Sequence, residues 1–202
     1  SFFWTIALQG AAVNIFLGAF GPSQPLLRAD QGTSLTIAGL HGTAMGVASI
    51  MAGLSNSHLV HRFGRSSTGW IGLIIFSIGL IGFVAAPPVE LTILAALVAG
   101  FGVSVVINNF VTSLTGHFGK QSAVALTQAN AIGSIGYVIG TLTVGLVADS
   151  FRDQWRIGIL AVLPFVLYLF FFRRIKDEQV HVPHEDGPQG GKLSGHFWIS
   201  WF

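Results

Sequence analysis

Charged side chains in this chain fall into a few tight clusters, and the stretches between them are long and apolar. No Asp, Glu, Lys or Arg occurs at 1–27, 31–61, 121–148 or 157–172, and between 66 and 119 the one charge is Glu90. A helix needs ~20 mainly apolar residues to cross a bilayer core. The pattern therefore predicts six spans, at 2–21, 36–56, 68–85, 91–114, 124–148 and 157–172. The last is short unless it begins at Gln154. Membrane strands would show ~10-residue segments of alternating polarity, and these runs do not alternate. The expected fold is an all-α integral membrane bundle of six transmembrane helices.

The connections fit these cuts. Pro22 and Pro25 are read as ending the first span, and Pro87 and Pro88 separate the third from the fourth. The segment from Asp177 to Lys192 is polar, holds Pro183, Pro188 and three glycines, and reads as a flexible linker. His196 to Phe202 is aromatic enough to be the interfacial start of a seventh span. The expected organisation is a transmembrane bundle over 1–176, a cytoplasmic linker over 177–195 and the opening of a seventh helix over 196–202. With apolar runs at both its ends, the chain is expected to be a piece of a longer protein that lacks its C-terminal half.

The spans differ in polarity. The third and sixth carry almost nothing polar and are expected to face lipid. The first carries Gln9 and Asn14, and the second His41, Thr43 and Ser49. The fourth carries Ser104, Asn108, Asn109 and Thr112, and the fifth Gln128, Asn130, Tyr137 and Thr141. Polar groups in hydrocarbon need partners or a water-filled cavity. A polar, polar, apolar order that recurs after three spans predicts two three-helix inverted repeats.

Composition narrows the function classes. Only 9% of the 202 residues are charged and 51% are hydrophobic, against ~25% charged in soluble domains. Ten Lys and Arg, widely scattered, are too few for a nucleic-acid track. With no cysteine there is no thiolate metal site. His181 and His184 flank Pro183 without a third ligand nearby, so no metal and no cofactor are expected. No H-E-x-x-H, G-x-S-x-G or membrane carboxylate pair is present, which argues against an enzyme. Basic residues set orientation. Arg62, Arg65, Lys120, Arg173, Arg174, Lys176 and Lys192 fall on one side and Arg28, Arg152 and Arg156 on the other, seven against three. Both ends are therefore expected in the cytoplasm.

The loop after the second span reads Ser57-His-Leu-Val-His-Arg-Phe-Gly-Arg-Ser66. It resembles the signature loop of the major facilitator superfamily, G-x-L-x-D-R-x-G-R-[RK]. Leu59, Arg62, Gly64 and Arg65 match, whereas Ser57, His61 and Ser66 depart from it. In the fourth span Gly100 and Gly102 fit the family's R-x-x-x-G-x-G, but Ala96 stands at the Arg. In the fifth, Gly136 and Gly140 fit the antiporter motif G-x-x-x-G-P, but Thr141 stands at the Pro. The resemblance implies half of a secondary transporter, with a solute site at the bilayer midplane between two halves that rock. Spans one and four would line its centre, and the signature loop would latch the halves on the cytoplasmic side. A bacterial inner membrane or other plasma membrane is the implied location.

Candidate cavity residues are Gln9, Asn14, His41, Asn108, Asn109, Gln128, Asn130 and Tyr137. Amides donate and accept without charge, which suits either a neutral or zwitterionic solute or contacts between helices. His41, the titratable group inside a span, suits a substrate or proton role or a structural hydrogen bond. Gly39, Gly46 and Gly53 recur at seven-residue steps, and Gly133, Gly136 and Gly140 form a second small-residue face. Such faces let helices approach, either within this bundle or against the missing half. The expected partners are membrane lipids, a small-molecule substrate and a coupled proton or other ion, as in symport. The competing reading is a non-transporting membrane receptor or assembly scaffold.

Overall fold

A computed structural model of the chain describes residues 2–85, 88–151 and 154–172. The linker and the start of the seventh span lie outside the described residues. The helices are α1 (Phe2–Gln31), α2 (Leu35–Phe63), α3 (Arg65–Val84), α4 (Val89–Phe118), α5 (Ser122–Ser150), α6 (Trp155–Leu160) and α7 (Val162–Phe172). A 3₁₀ turn, Gly119–Gln121, joins α4 to α5. The described residues contain no strand. This is the all-helical membrane bundle that the apolar runs predicted.

The sixth span is divided. Pro164 has no N–H for the Leu160 carbonyl, and its ring crowds the preceding turn. The helix accordingly breaks at Ala161, between α6 and α7. The first span departs from expectation in the other direction. Pro22 and Pro25 lie inside α1 and do not end it. Pro22 leaves the Gly18 carbonyl without its helical donor, and the Thr141 hydroxyl from α5 donates to that oxygen at 3.0 Å. A partner across the interface thus replaces the lost bond and lets α1 continue. Thr141 is the residue that stands at the antiporter motif's proline.

Contacts fix the directions of the helices. Along α1 and α5 both numbers rise together, Ala11 against Gly136 and Ile15 against Gly140, so these two run parallel. His41 meets Thr92 and Met45 meets Gly100, so α2 and α4 run parallel too. Gly79 meets Ala99 while Gly102 meets Phe76, so α3 and α4 are antiparallel. Phe3 meets Phe118 edge-to-face and Gln31 bonds Thr92, which makes α1 antiparallel to α4. The bundle therefore has an Asp30 end and an Arg65 end, and successive spans alternate between them. Exchanging the first three spans with the last three converts the α1–α5 pair into the α4–α2 pair. It likewise converts α3–α4 into the contact of α6 and α7 with α1. All of these pairings are present, so the two repeats are inverted copies in space.

Close approach at glycine holds the main pairs together. A methyl group on Gly18 would overlap the Tyr137 carbonyl, and one on Gly140 the Ile15 carbonyl. On α3 and α4, Gly79 and Gly102 lie against the backbones of Ala99 and Phe76 in the same way. Aromatic side chains fill the space between these contacts, with Phe16 and Phe76 rings 5.2 Å apart. The central helix α1 is the most enclosed span and α2 the least. Helix α3 buries Trp70, Leu73, Phe76, Leu80 and Phe83 in the core and turns Ile74, Ile78 and Ile81 outward. One of its faces, not its whole circumference, is therefore available to lipid.

Forcing apart a backbone contact of this kind costs ~1–3 kcal/mol. Gly140→Val should accordingly lower the thermal midpoint of the purified protein. Gly46→Val should lower it less, since nothing among the described residues lies within 4 Å of an added methyl there. Equal falls in differential scanning fluorimetry would contradict the α1–α5 packing.

Candidate functional site

The polar residues of the spans divide into two groups. Gln9, His41 and Asn109 are buried inside this bundle, each 2% exposed or less. Gln9 and Asn109 converge beside Gly69, whose missing side chain leaves room for both amides; an added methyl would stand 2.7 Å from Asn109 Nδ2 and 3.0 Å from Gln9 Oε1. Ser113 donates to Asn109 Oδ1 at 3.4 Å. These groups are enclosed where α1, α3 and α4 meet. They do not open onto a shared cavity face.

The second group reaches the surface of this half. On α4, Ser104, Asn108, Thr112 and Thr115 stand at four-, four- and three-residue steps and so share a face. On α5, Asn130, Ser134, Tyr137 and Thr141 do the same. Asn130 and Tyr137 are exposed and Asn108 half-buried. Asn14 sits at the edge, donating to the Gly10 carbonyl at 2.8 Å and lying against Gly133 of α5. Gln128 is exposed but stands apart. Two residues before Asn130 it is turned by about 200° round the helix, onto the flank that carries Ile135 and Ile139.

Most hydroxyls of these stripes donate back along their own helix. Thr112 donates to the Asn108 carbonyl at 2.9 Å, Thr115 to that of Val111 at 2.9 Å and Ser134 to that of Asn130 at 3.0 Å. Each hydroxyl oxygen keeps lone pairs free to accept, and the asparagine amides add donors. Neither stripe carries a charge. The open faces can therefore hydrogen-bond a neutral group from either side, without a fixed ion to pair with an ionised one.

Glycines follow the same division. Gly133, Gly136 and Gly140 are buried against α1 and serve packing within this half. Gly39, Gly46 and Gly53 lie on the exposed face of α2, with nothing within 4 Å of an added methyl. They form a smooth strip that the described residues leave uncovered.

At the Arg65 end, the loop between α2 and α3 is a single residue, Gly64, with φ 79° and ψ 161°. That backbone region is essentially closed to residues with a Cβ. The turn brings Arg65 to the last turn of α4, where its Nη1 donates to the Thr112 carbonyl at 3.3 Å. Gly116 leaves the space for the guanidinium, and the negative end of the helix dipole favours it there. Arg62 lies over the Phe63 ring at 5.4 Å. His61 is exposed and Leu59 half-buried. The opposite end has a matching clamp. There Asp30 Oδ2 pairs with Arg156 at 2.7 Å and accepts from Trp155 Nε1 at 2.9 Å. Each clamp places an arginine from the start of a repeat's third span against the end of the other repeat's first span. Neither tie was visible in the sequence, because Arg65 lies 47 residues from Thr112 and Trp155 lies 125 from Asp30.

Gly64→Ala should cost ~1–3 kcal/mol through the strained turn. Thermal unfolding beside the exposed control Ser57→Ala checks this, and equal midpoints would show that the turn does not need glycine.

Among the described residues no cluster of His, Asp or Glu could hold a metal ion. The family model described as Major Facilitator Superfamily matches residues 5–201. No curated protein matches the chain.

Proposed function

The chain belongs to the Major Facilitator Superfamily, a family of membrane transporters, and on that premise we propose that it forms the N-terminal half of a secondary transporter. The solute is a small, polar organic molecule that is neutral or zwitterionic. It is held between the open stripes of α4 and α5 and the complementary half of the protein, and it passes by alternating access. The observation that carries this reading is the sorting of polar groups. Gln9 and Asn109 are buried inside the bundle, whereas Asn108, Asn130, Ser134 and Tyr137 lie toward its open faces without a charge among them. A bundle that served only as a scaffold has no need to place amides and a phenol on an open face.

The bare glycine strip of α2 supports the same reading, since a flat, small-residue surface lets one half slide against another. Counterflow on the reconstituted full gene product tests it, with a panel of labelled neutral, zwitterionic and charged polar solutes. Exchange of a neutral or zwitterionic solute is expected, with Asn130→Ala reducing it about tenfold, the scale of one lost hydrogen bond of ~1.4 kcal/mol. Gly46→Val should slow exchange while leaving the fold intact. Absence of exchange with every solute would instead favour a receptor or scaffold.

Orientation follows from the basic residues, with the Arg62–Arg65 turn on the cytoplasmic side of the membrane. The chain has no native cysteine, so single-cysteine labelling reads topology directly. Ala29→Cys, exposed at the Asp30 end, should react with an impermeant maleimide on intact cells, and Ser57→Cys should not. The reverse pattern would invert the topology.

A further inference from the structure

His41 is enclosed among α1, α2, α3 and α4, and only 1% of it is exposed. Its Nδ1 lies 3.1 Å from the Ala38 carbonyl oxygen and its Nε2 lies 2.8 Å from Thr92 Oγ1. Thr92 Oγ1 is also 2.9 Å from the Val89 carbonyl oxygen, and it accepts from Gln31 Nε2 at 3.1 Å. The Phe83 ring stands edge-on to the imidazole at 5.9 Å.

The hydrogens of this cluster can be placed by elimination. A carbonyl oxygen only accepts, so Nδ1 carries a proton. The Thr92 hydroxyl has one hydrogen and two acceptors within reach, His41 Nε2 and the Val89 carbonyl. With His41 neutral, Nε2 offers a lone pair and the hydroxyl donates to it. With His41 protonated, Nε2–H donates to Oγ1, and the hydroxyl hydrogen turns to the Val89 carbonyl. Oγ1 then accepts from His41 and Gln31, which fills both of its lone pairs. One proton is gained at Nε2 and one hydroxyl hydrogen rotates. No heavy atom has to move, and the hydrogens on Nδ1, Nε2 and Oγ1 each have an acceptor in either state.

We infer that His41 and Thr92, completed by Gln31 and the Ala38 carbonyl, form a proton-binding site. A buried histidine kept only for structure needs partners for one protonation state; this one has partners for both. Among the described residues, no charge is positioned to hold it in one form. On α4, Glu90 is exposed and lies about 200° round the helix from Thr92. On α1, Arg28 donates to the Thr33 carbonyl at 3.2 Å and Asp30 is paired with Arg156. The basic residue of α3, Arg65, and the other histidines of α2, His58 and His61, are at the opposite end of the bundle. A groove of about 290 Å³ between α1 and α2, lined by Gln24, Arg28, Ala38 and Gly39 among others, reaches the residue whose carbonyl holds Nδ1. It brings open space to within one residue of the site from the Asp30 end. The site joins helices of both repeats, so its occupancy acts on α1, α2 and α4 together. It concerns proton binding itself and does not rest on the transport reading.

The test is ¹⁵N-histidine NMR of the full gene product in lipid nanodiscs, titrated from pH 8 to pH 4.5, with the His41 signal assigned by its loss in His41→Gln. The expected signal is the Nδ1–H tautomer at high pH, converting to the doubly protonated ring as pH falls. Thr92→Ser should keep this behaviour. Thr92→Val should weaken proton binding about tenfold, because a hydrogen bond lost from the charged ring costs more than one lost from the neutral ring. An Nε2–H tautomer at high pH, or no second proton by pH 4.5, overturns the inference. So does a Thr92→Val titration that matches wild type. The wild-type tautomer decides the matter alone if the variants do not fold.

Discussion

The rest of this structure depends on the direct contact of helix backbones at glycine. Lipid tails are as apolar as leucine, so burial of apolar surface does not drive helices together once they are in the membrane. Close packing has to do so. Gly18 and Gly140 bring α1 onto α5, and Gly79 and Gly102 bring α3 onto α4. The inverted repeat makes one pairing scheme serve twice, since α1 with α5 and α4 with α2 are the same contact in two copies. The result is a half-bundle whose inner pairs are locked at backbone distance, and whose α2 and α5 each keep a broad uncovered face.

That packing also decides what the polar groups do. A polar atom inside the locked region must find its partner there, and the partners are present. Thr141 supplies the bond that Pro22 removes from α1, and Arg65 occupies the end of α4. Asp30 ties the end of α1 to the start of α6 through Arg156 and Trp155. Groups outside the locked region have no such use. Asn108, Asn130, Ser134 and Tyr137 remain toward open faces, where the proposed solute would meet them.

The spans themselves were legible in the sequence because a bilayer permits few alternatives: a long charge-free run must make all its backbone bonds internally. The repeats were legible in the polarity of the spans, since the first and fourth are polar where the third and sixth are not. Helix ends were less so. The prolines at 22 and 25 read as terminators, and only the position of Thr141, 123 residues from Gly18, shows why α1 runs on. Hardest to read was which way each polar residue turns. Gln9 and Asn14 are five residues apart on one helix, yet Gln9 is buried and Asn14 sits at the edge. The glycines of α2 and α5 both line one helix face yet have opposite roles, because only the α5 face has α1 against it. Periodicity defines a face; the neighbour it meets is a long-range fact. His41 shows the same limit, as its site needs Thr92 from 51 residues away.

The central claim is that this half moves as one body, locked at its glycines, against a partner that covers α2. Spin labels on the full gene product test it most directly. One pair is placed at Ala29 of α1 and Leu146 of α5, both exposed, and a second pair links Ala29 to the complementary half. Double electron–electron resonance is then recorded with and without the transported solute. The account predicts a single narrow distance for the first pair, unchanged by solute, and a shifted distribution for the second. A first pair that splits or shifts with solute would contradict it, because α1 and α5 would then be separating where their backbones are said to be in contact.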